Sequence, residues 1–151
     1  MALSVRSFNR FMFFKLPAAW WCGVRLTALD GNRGEAAVTH RWINQNPFRS
    51  MFWAVQGMAA ELSTGALVMY HIRKSGLPIS MLVLNNRANF SKKATGRIRF
   101  ECPDGDKVRH AIDQAVTTGK GQTVWMQSVG VNADGVTVST FDFEWTLKVK
   151  S

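Results

Sequence analysis

The sequence predicts an α+β domain in which an antiparallel sheet of about six strands curls around one long central helix. Two observations support this prediction. A long segment in the middle of the chain is helical by composition and apolar on nearly every side, so its surroundings must bury it. Before and after this segment, apolar and polar residues alternate as they do in half-buried strands.

Length and composition fit one globular domain. The 151 residues are 46% hydrophobic and 19% charged, which excludes a wholly disordered chain. The two cysteines, Cys22 and Cys102, lack the spacing of a metal or redox site and predict a reducing compartment. The apolar run at residues 11–14 is shorter than a secretory signal, whose apolar region has roughly 7–15 residues. We therefore expect a single domain, residues 1–151, in the cytoplasm.

The formal net charge of +9 raises the question of an anionic partner. A charge of this size suits a nucleic acid, an anionic membrane or a phosphate-rich ligand. Basic residues are spread along the chain, with one local concentration at Arg87, Lys92, Lys93, Arg97 and Arg99. The aromatic residues follow strand spacing, which indicates a core rather than a stacking platform for bases. We therefore expect no nucleic-acid partner, and we interpret most of the charge as solvated surface.

The first part of the chain predicts a helix and a hairpin. Residues 1–20 are expected to contain an N-terminal helix with solvated basic residues and an apolar face made of Val5, Phe8, Phe11 and Met12. Residues 22–29 and 35–42 alternate as two strands around a turn at 30–34. One side of the second strand is expected to carry Ala36, Val38, His40 and Trp42.

The central helix is predicted over residues 46–75. Asn46 is a good N-cap, and Pro47 at the first helical position loses no hydrogen bond. Gly76 ends the segment. The length would suit a bilayer, but Glu61 near the middle would be costly in lipid. We therefore expect a helix that is covered by a sheet, and no membrane partner.

Four more strands are predicted in the second half of the chain, at residues 79–90, 94–102, 121–131 and 136–149. A short amphipathic helix is predicted between the second and third of them, within residues 104–119. In the last strand the apolar phase changes after Val138, which predicts a bulge near Ser139 and Thr140.

Glu61 is the residue best suited to chemistry. It is the only charged residue between Arg49 and Arg73, and its face of the helix also carries Gly57 and Met58. A carboxylate held away from water has a raised pKa unless a partner compensates it. Catalytic bases are often made in this way. The alternative is a structural glutamate that pairs with an arginine or caps a loop amide.

Motifs of several other enzyme classes are missing from the sequence. It contains no Gly-x-Ser-x-Gly motif and no Gly-rich phosphate loop. Its three histidines lack metal-ligand spacing, so we predict no metal site. Asn46 either caps the central helix or orients a water molecule.

Two stretches carry a resemblance to a known family. The first is Asn46-Pro47-Phe48 ahead of a long helix, with an acidic residue fifteen positions after the asparagine. The second is the segment 90–96, which precedes a strand. With these features the chain resembles the hotdog-fold acyl-CoA thioesterases of the phenylacetate-pathway type, and most closely a little-characterised branch near them. The resemblance covers about residues 15–150, and the helix within 104–119 looks like an insertion.

The resemblance implies an active site. By position, Glu61 would activate water or attack the thioester carbonyl, Asn46 would match an asparagine ahead of the helix, and the Trp53 N–H would hold the oxyanion. The family's His-Gly-Gly segment is replaced here by Phe52-Trp53-Ala54. A main-chain N–H survives this replacement, whereas the histidine is lost and bulkier side chains narrow the pocket.

Three functions therefore stand beside one another: an acyl-CoA thioesterase, a non-catalytic acyl-CoA-binding hotdog protein, and a nucleic-acid binder. The resemblance implies a dimer or a dimer of dimers with the site between subunits, and coenzyme A as part of the substrate rather than as a cofactor. Phosphates attract arginine and lysine, so we expect the coenzyme A moiety near Arg87, Lys92, Lys93 and Arg97. Gly57 and Met58 are expected to line the substrate pocket beside Glu61.

Overall fold

A computed structural model of the protein describes residues 3–151. Its helices are α1 (Val5–Lys15), α2 (Pro17–Trp21), α3 (Trp53–Ser75) and α4 (Gly105–Thr118). Its strands are β1 (Arg25–Leu29), β2 (Gly34–Thr39), β3 (Ile79–Phe90), β4 (Arg97–Cys102), β5 (Gln122–Val131) and β6 (Thr137–Val149). The strands form one antiparallel sheet in the order β1-β2-β4-β5-β6-β3. The predicted α+β architecture is confirmed.

The core lies between the concave face of the sheet and the 23-residue helix α3. This helix contacts β1, β2, β4, β5 and β6, and most of its middle residues are buried. It ends at Gly76, whose φ of 71° is left-handed and suits a residue without a Cβ, as the sequence predicted. Among the described residues, no helix is both long and apolar enough to cross a membrane.

The predicted start of the central helix is wrong. Helix α3 begins at Trp53 with Phe52 as its N-cap, not at Asn46. Asn46 instead closes a turn, because its Oδ1 accepts from the N–H groups of Phe48 at 2.9 Å and Ser50 at 3.2 Å. Asparagine side chains stabilise such turns as readily as they cap helices. Arg49 then adopts a φ of 60°, which interrupts any helix there.

The N-terminal segment forms two helices rather than one. Helix α1 stops at Leu16, whose backbone is not helical, since the residue before a proline disfavours that conformation. Pro17 then occupies the first turn of α2. Phe8 is buried as expected, but Phe11 is exposed. The predicted range also includes Met1 and Ala2, which lie outside the described residues.

The free edge of β1 is closed by a side chain of α1. Asn9 Nδ2 donates to the carbonyl of Leu26 at 2.8 Å, and Asn9 Oδ1 accepts from the Leu26 N–H at 2.9 Å. One amide thus replaces a strand partner at this edge of the sheet. The opposite edge, β3, is twelve residues long and has β6 as its partner within residues 3–151.

Two details of the strands differ from the sequence-based expectation. The extra residue of the bulge in β6 is Val138, because Ser139 pairs with Gly130 and Thr137 with Val131. Strand β2 ends at Thr39, so Trp42 does not point into the core; it lies in a 3₁₀ turn and is exposed. The buried Asn44 amide stabilises this turn by donating to the carbonyls of Cys22 and Thr39.

Candidate functional site

Glu61 lies in a cleft of about 330 Å³ between α3 and the N-terminal helices. Apolar side chains form most of its walls. The lining residues are Phe8, Lys15, Leu16, Pro17, Ala18, Ala19, Met58, Glu61, Leu62, Gly65, Ala66, Met69, Met81 and Trp145. Glu61 and Lys15 are thus the two charged side chains of this cleft, which we call the glutamate cleft. Its volume is that of a small-molecule site.

The Glu61 carboxylate has no partner in the described part of the chain. Within residues 3–151 no cation or hydrogen-bond donor contacts its oxygens. The residue keeps an exposed surface, yet partial burial of the carboxyl among apolar groups raises its pKa. The alternative of a glutamate paired with an arginine or a loop amide is therefore not realised within one chain.

A glycine of α3 allows Trp145 to form one wall of the glutamate cleft. A Cβ at Gly65 would lie 3.3 Å from Trp145 Cζ2, so the glycine lets the indole pack directly on the helix. Trp145 Nε1 donates to Thr64 Oγ1 at 3.0 Å, and Thr64 Oγ1 donates to the Glu61 carbonyl at 2.9 Å. This chain of contacts holds the helical turn at Glu61 against strand β6.

The other expected catalytic residues lie in a second cleft of about 590 Å³. We call it the helix-start cleft, and its walls come from the 46–53 loop, the segment 90–94 and Gln56. Trp53 is the first residue of α3, and in residues 3–151 neither its N–H nor that of Ala54 has an acceptor. Free N–H groups at a helix start carry partial positive charge and suit an oxyanion.

The Asn46 amide is occupied by its own loop. Its Oδ1 accepts hydrogen bonds from two N–H groups of the loop. Its Nδ2 donates to Ser50 Oγ at 3.0 Å and to the Met51 carbonyl at 3.3 Å. Asn46 therefore positions the chain that leads into Trp53. Gln56, which the sequence interpretation did not single out, is buried in the same cleft and accepts from Ser139 Oγ at 2.8 Å.

The predicted basic cluster does not converge on one point. Lys92 and Lys93 line the helix-start cleft, where Lys93 Nζ donates to the Phe48 carbonyl at 3.2 Å. Arg87 is paired with Asp142 at 3.2 Å and stacks over Trp125, in another part of the surface. Arg97 is exposed on β4 and lines neither cleft.

One chain does not bring the expected base and oxyanion donor together. Glu61 and Trp53 are eight residues apart on α3, a rise of about 12 Å. The glutamate cleft and the helix-start cleft have no lining residue in common. Gly57 lies between them with Phe141 above it, and a Cβ there would be 3.5 Å from that ring.

The comparison with protein families decides the membership of this chain. The family model described as a domain of unknown function, DUF4442, matches residues 5–147. The chain belongs to the DUF4442 family. A comparison with curated proteins finds no match.

Solved structures with the same architecture place this DUF4442 protein among the hotdog folds. A protein from Pseudomonas aeruginosa described as a probable thioesterase is 20% identical, with a TM-score of 0.84 over 99% of each chain. A thioesterase from Haemophilus influenzae is 12% identical, with a TM-score of 0.75 over 99% of this chain and 93% of its own. The hotdog fold expected from the resemblance is thereby confirmed.

The sequence interpretation missed most of the glutamate cleft of this DUF4442 chain. Lys15 was expected among the solvated basic residues of an N-terminal helix, and Leu16 and Trp145 were not assigned to a site. Periodicity indicates which face of an element is buried, but it does not say which other element covers that face. The absence of any acidic residue before Asp30 showed that the charge of the N-terminal segment differs from that of the rest of the chain. Within residues 3–151 no group of side chains has the composition of a metal site.

Proposed function

We propose that this DUF4442 protein hydrolyses acyl thioesters of coenzyme A, with Glu61 as general base or nucleophile. The observation that supports this most is the unpartnered Glu61 carboxyl, with a raised pKa, in an apolar cleft. Structural neighbours described as thioesterases favour the same reaction class.

The proposed reaction needs an acceptor for one proton and a place for one negative charge. As a base, Glu61 takes a proton from water while the water oxygen attacks the thioester carbonyl. The carbonyl oxygen becomes an oxyanion that the Trp53 N–H stabilises. The intermediate then breaks its carbon–sulfur bond, and the proton from Glu61 goes to the leaving thiolate. As a nucleophile, Glu61 would attack the carbonyl itself and expel the coenzyme A thiolate, and water would then hydrolyse the resulting anhydride to the free acid and the Glu61 carboxylate.

The two clefts suit the two parts of an acyl-CoA molecule. The glutamate cleft is lined by Leu16, Met58 and Met69 among other apolar groups, which suits an acyl chain. The helix-start cleft carries the ammonium groups of Lys92 and Lys93, which suit phosphates. Arg87 is already paired with Asp142, so the proposed coenzyme A site rests on the two lysines.

We also propose that two copies of the chain complete the site. Because Glu61 and Trp53 open into different clefts of one chain, a dimer is needed to place the carboxylate of one copy beside the Trp53 N–H of the other. The long β3 edge is the surface on which a second copy would add.

A non-catalytic acyl-CoA-binding protein is the second candidate, and two observations favour it. Phe52 and Trp53 project exposed side chains at the helix-start cleft, where bulk narrows the approach to the N–H groups. The Asn46 amide is engaged within its loop and has no free donor for a water molecule.

An assay of hydrolysis over short-chain, medium-chain and aryl-CoA thioesters distinguishes the two candidates. We expect turnover of at least one apolar acyl-CoA, and Glu61→Gln should lower it by at least about 10²-fold. Glu101→Gln removes a surface carboxylate outside both clefts and should leave turnover unchanged. Binding of the esters without hydrolysis by the wild-type protein would replace the enzyme with the second candidate.

A further inference from the structure

The outward surface of the N-terminal helices exposes large apolar side chains that the fold does not cover. We call them the N-terminal patch: Phe13, Phe14, Leu16 and Trp21. Phe14 is 70% exposed and Trp21 is 65% exposed, values far from those of a core. Phe13 packs edge-on against Phe14 at 5.0 Å and against Trp20 at 5.5 Å, so these three rings form one cluster across α1 and α2.

Basic side chains share this surface, and no acidic residue occurs among residues 1–29. At about 3.6 residues per turn, Arg6 and Arg10 fall on the same arc of α1 as Phe13 and Phe14. The opposite arc holds Phe8 and Met12, both buried. The helix therefore places its aromatic and cationic groups together and away from the protein.

We propose that the N-terminal patch docks the protein onto the surface of an anionic membrane. Aromatic rings favour the interface between headgroups and acyl chains, where one side of the ring is apolar and the other is wet. Arginine and lysine beside them are attracted to anionic lipids, and their long side chains reach the headgroups. The membrane partner was not expected from the sequence, because exposure of Phe14 and Trp21 is a property of the tertiary fold.

The charge of the patch favours a lipid surface over a second copy of this chain. Two patches brought face to face would place Arg6 and Arg10 of each copy together, with no acidic residue among residues 1–29 to compensate them. A second copy also has a separate surface available at the β3 edge. An anionic bilayer supplies both the negative charge and the apolar layer that the patch needs.

The patch shares Leu16 with the lining of the glutamate cleft. Lys15 and Leu16, at the end of α1, line that cleft and adjoin the exposed rings. The membrane proposal does not depend on hydrolysis, since it rests on the surface of α1 and α2 alone.

Flotation of the full chain with lipid vesicles tests the proposal. We expect the protein to float with phosphatidylcholine vesicles that contain phosphatidylglycerol, and much less with phosphatidylcholine alone. The double variant Arg6→Glu, Arg10→Glu should weaken binding at least about tenfold, since each basic group near an anionic surface contributes severalfold. The matched control Lys120→Glu, Lys150→Glu changes the net charge equally, at exposed positions outside the patch, and should bind far better than the Arg6, Arg10 variant.

A second pair of variants tests the aromatic contribution. Phe14→Ser with Trp21→Ser should reduce vesicle binding at least about tenfold, with the melting temperature retained because both side chains are exposed. Trp42→Ser, at another exposed aromatic side chain, should have no such effect. Absence of flotation with anionic vesicles, or equal flotation with neutral ones, would overturn the proposal. So would a change of mass by light scattering in the Phe14, Trp21 variant, which would make the patch a contact between copies.

Discussion

At the scale of single residues, Glu61 links stability to pH. Apolar neighbours raise its pKa above the ordinary value of the unfolded chain, so the folded state holds this proton to a higher pH. Between the two pKa values the folded state binds more protons than the unfolded state, and stability falls as pH rises. The loss of stability is complete above the pKa of Glu61 in the folded protein, and it is absent below the pKa of Glu61 in the unfolded chain.

The Glu61→Gln variant removes this dependence. We expect its melting temperature to exceed that of the wild type at about pH 8 and to approach it near pH 3, well below the ordinary glutamate pKa of about 4.3, where both side chains are neutral. Calorimetry at the two pH values measures the difference. A glutamate whose charge is compensated in the folded protein would show the opposite sign at high pH, with the variant less stable.

Trp53 offers a test of the oxyanion donor that leaves the helix intact. Proline is tolerated at the first helical position, and Phe52 already has the extended ψ of 135° that a following proline prefers. Trp53→Pro therefore removes one N–H and should lower kcat by about 10²–10³-fold, the usual loss for one oxyanion donor. Trp53→Ala keeps the N–H, and the same assay should find its kcat far above that of the proline variant.

At the scale of elements, the two edges of the sheet differ in whether their outward backbone groups have partners. Asn9 occupies the N–H and carbonyl of Leu26 at the β1 edge, so a strand that approached there would find these two groups already paired. In the described structure no side chain occupies the β3 edge in this way, and the side chains of Leu82 and Leu84 on that strand are exposed. An open edge of twelve residues, with exposed leucines in its first half, is a pairing surface unless another chain covers it.

This asymmetry predicts a dimer that forms through β3. Light scattering should report twice the chain mass of 16.9 kDa, or a higher multiple if dimers pair further. Leu82→Lys with Leu84→Lys places charges along the edge and should yield monomers. Val116→Lys with Val136→Lys adds the same charge at exposed residues elsewhere and should leave the mass unchanged. A wild-type monomer at micromolar concentration would contradict the proposed shared site.

At the scale of the whole molecule, the separation of the two clefts predicts separable effects on binding and chemistry. Lys92→Glu with Lys93→Glu should weaken binding of free coenzyme A, more strongly at low salt because screening is then slight. Calorimetric titration measures the affinity, and Lys120→Glu with Lys150→Glu serves as the control of equal charge. An unchanged affinity in the Lys92, Lys93 variant would place the coenzyme A moiety elsewhere.

Much of the fold was predictable because it depends on local patterns. The alternation in β6, the end of α3 at Gly76 and the short helix before Gly119 were all predicted, since each is set by residues close in sequence. The start of α3 was not, because Asn46 suits a turn as well as a cap and only the φ of Arg49 shows which one forms.

The candidate site was also predictable only where it depends on residues close in sequence. The sequence alone determined that Glu61 is an isolated charge in an apolar helix beside small residues, because that depends on helical spacing. Only the tertiary structure decided that the N-terminal helices form one wall of the cleft beside this carboxyl, that Trp53 opens into another cleft and that Arg87 is already paired with Asp142. These are contacts between residues far apart in the chain, and periodicity carries no information about which distant elements meet.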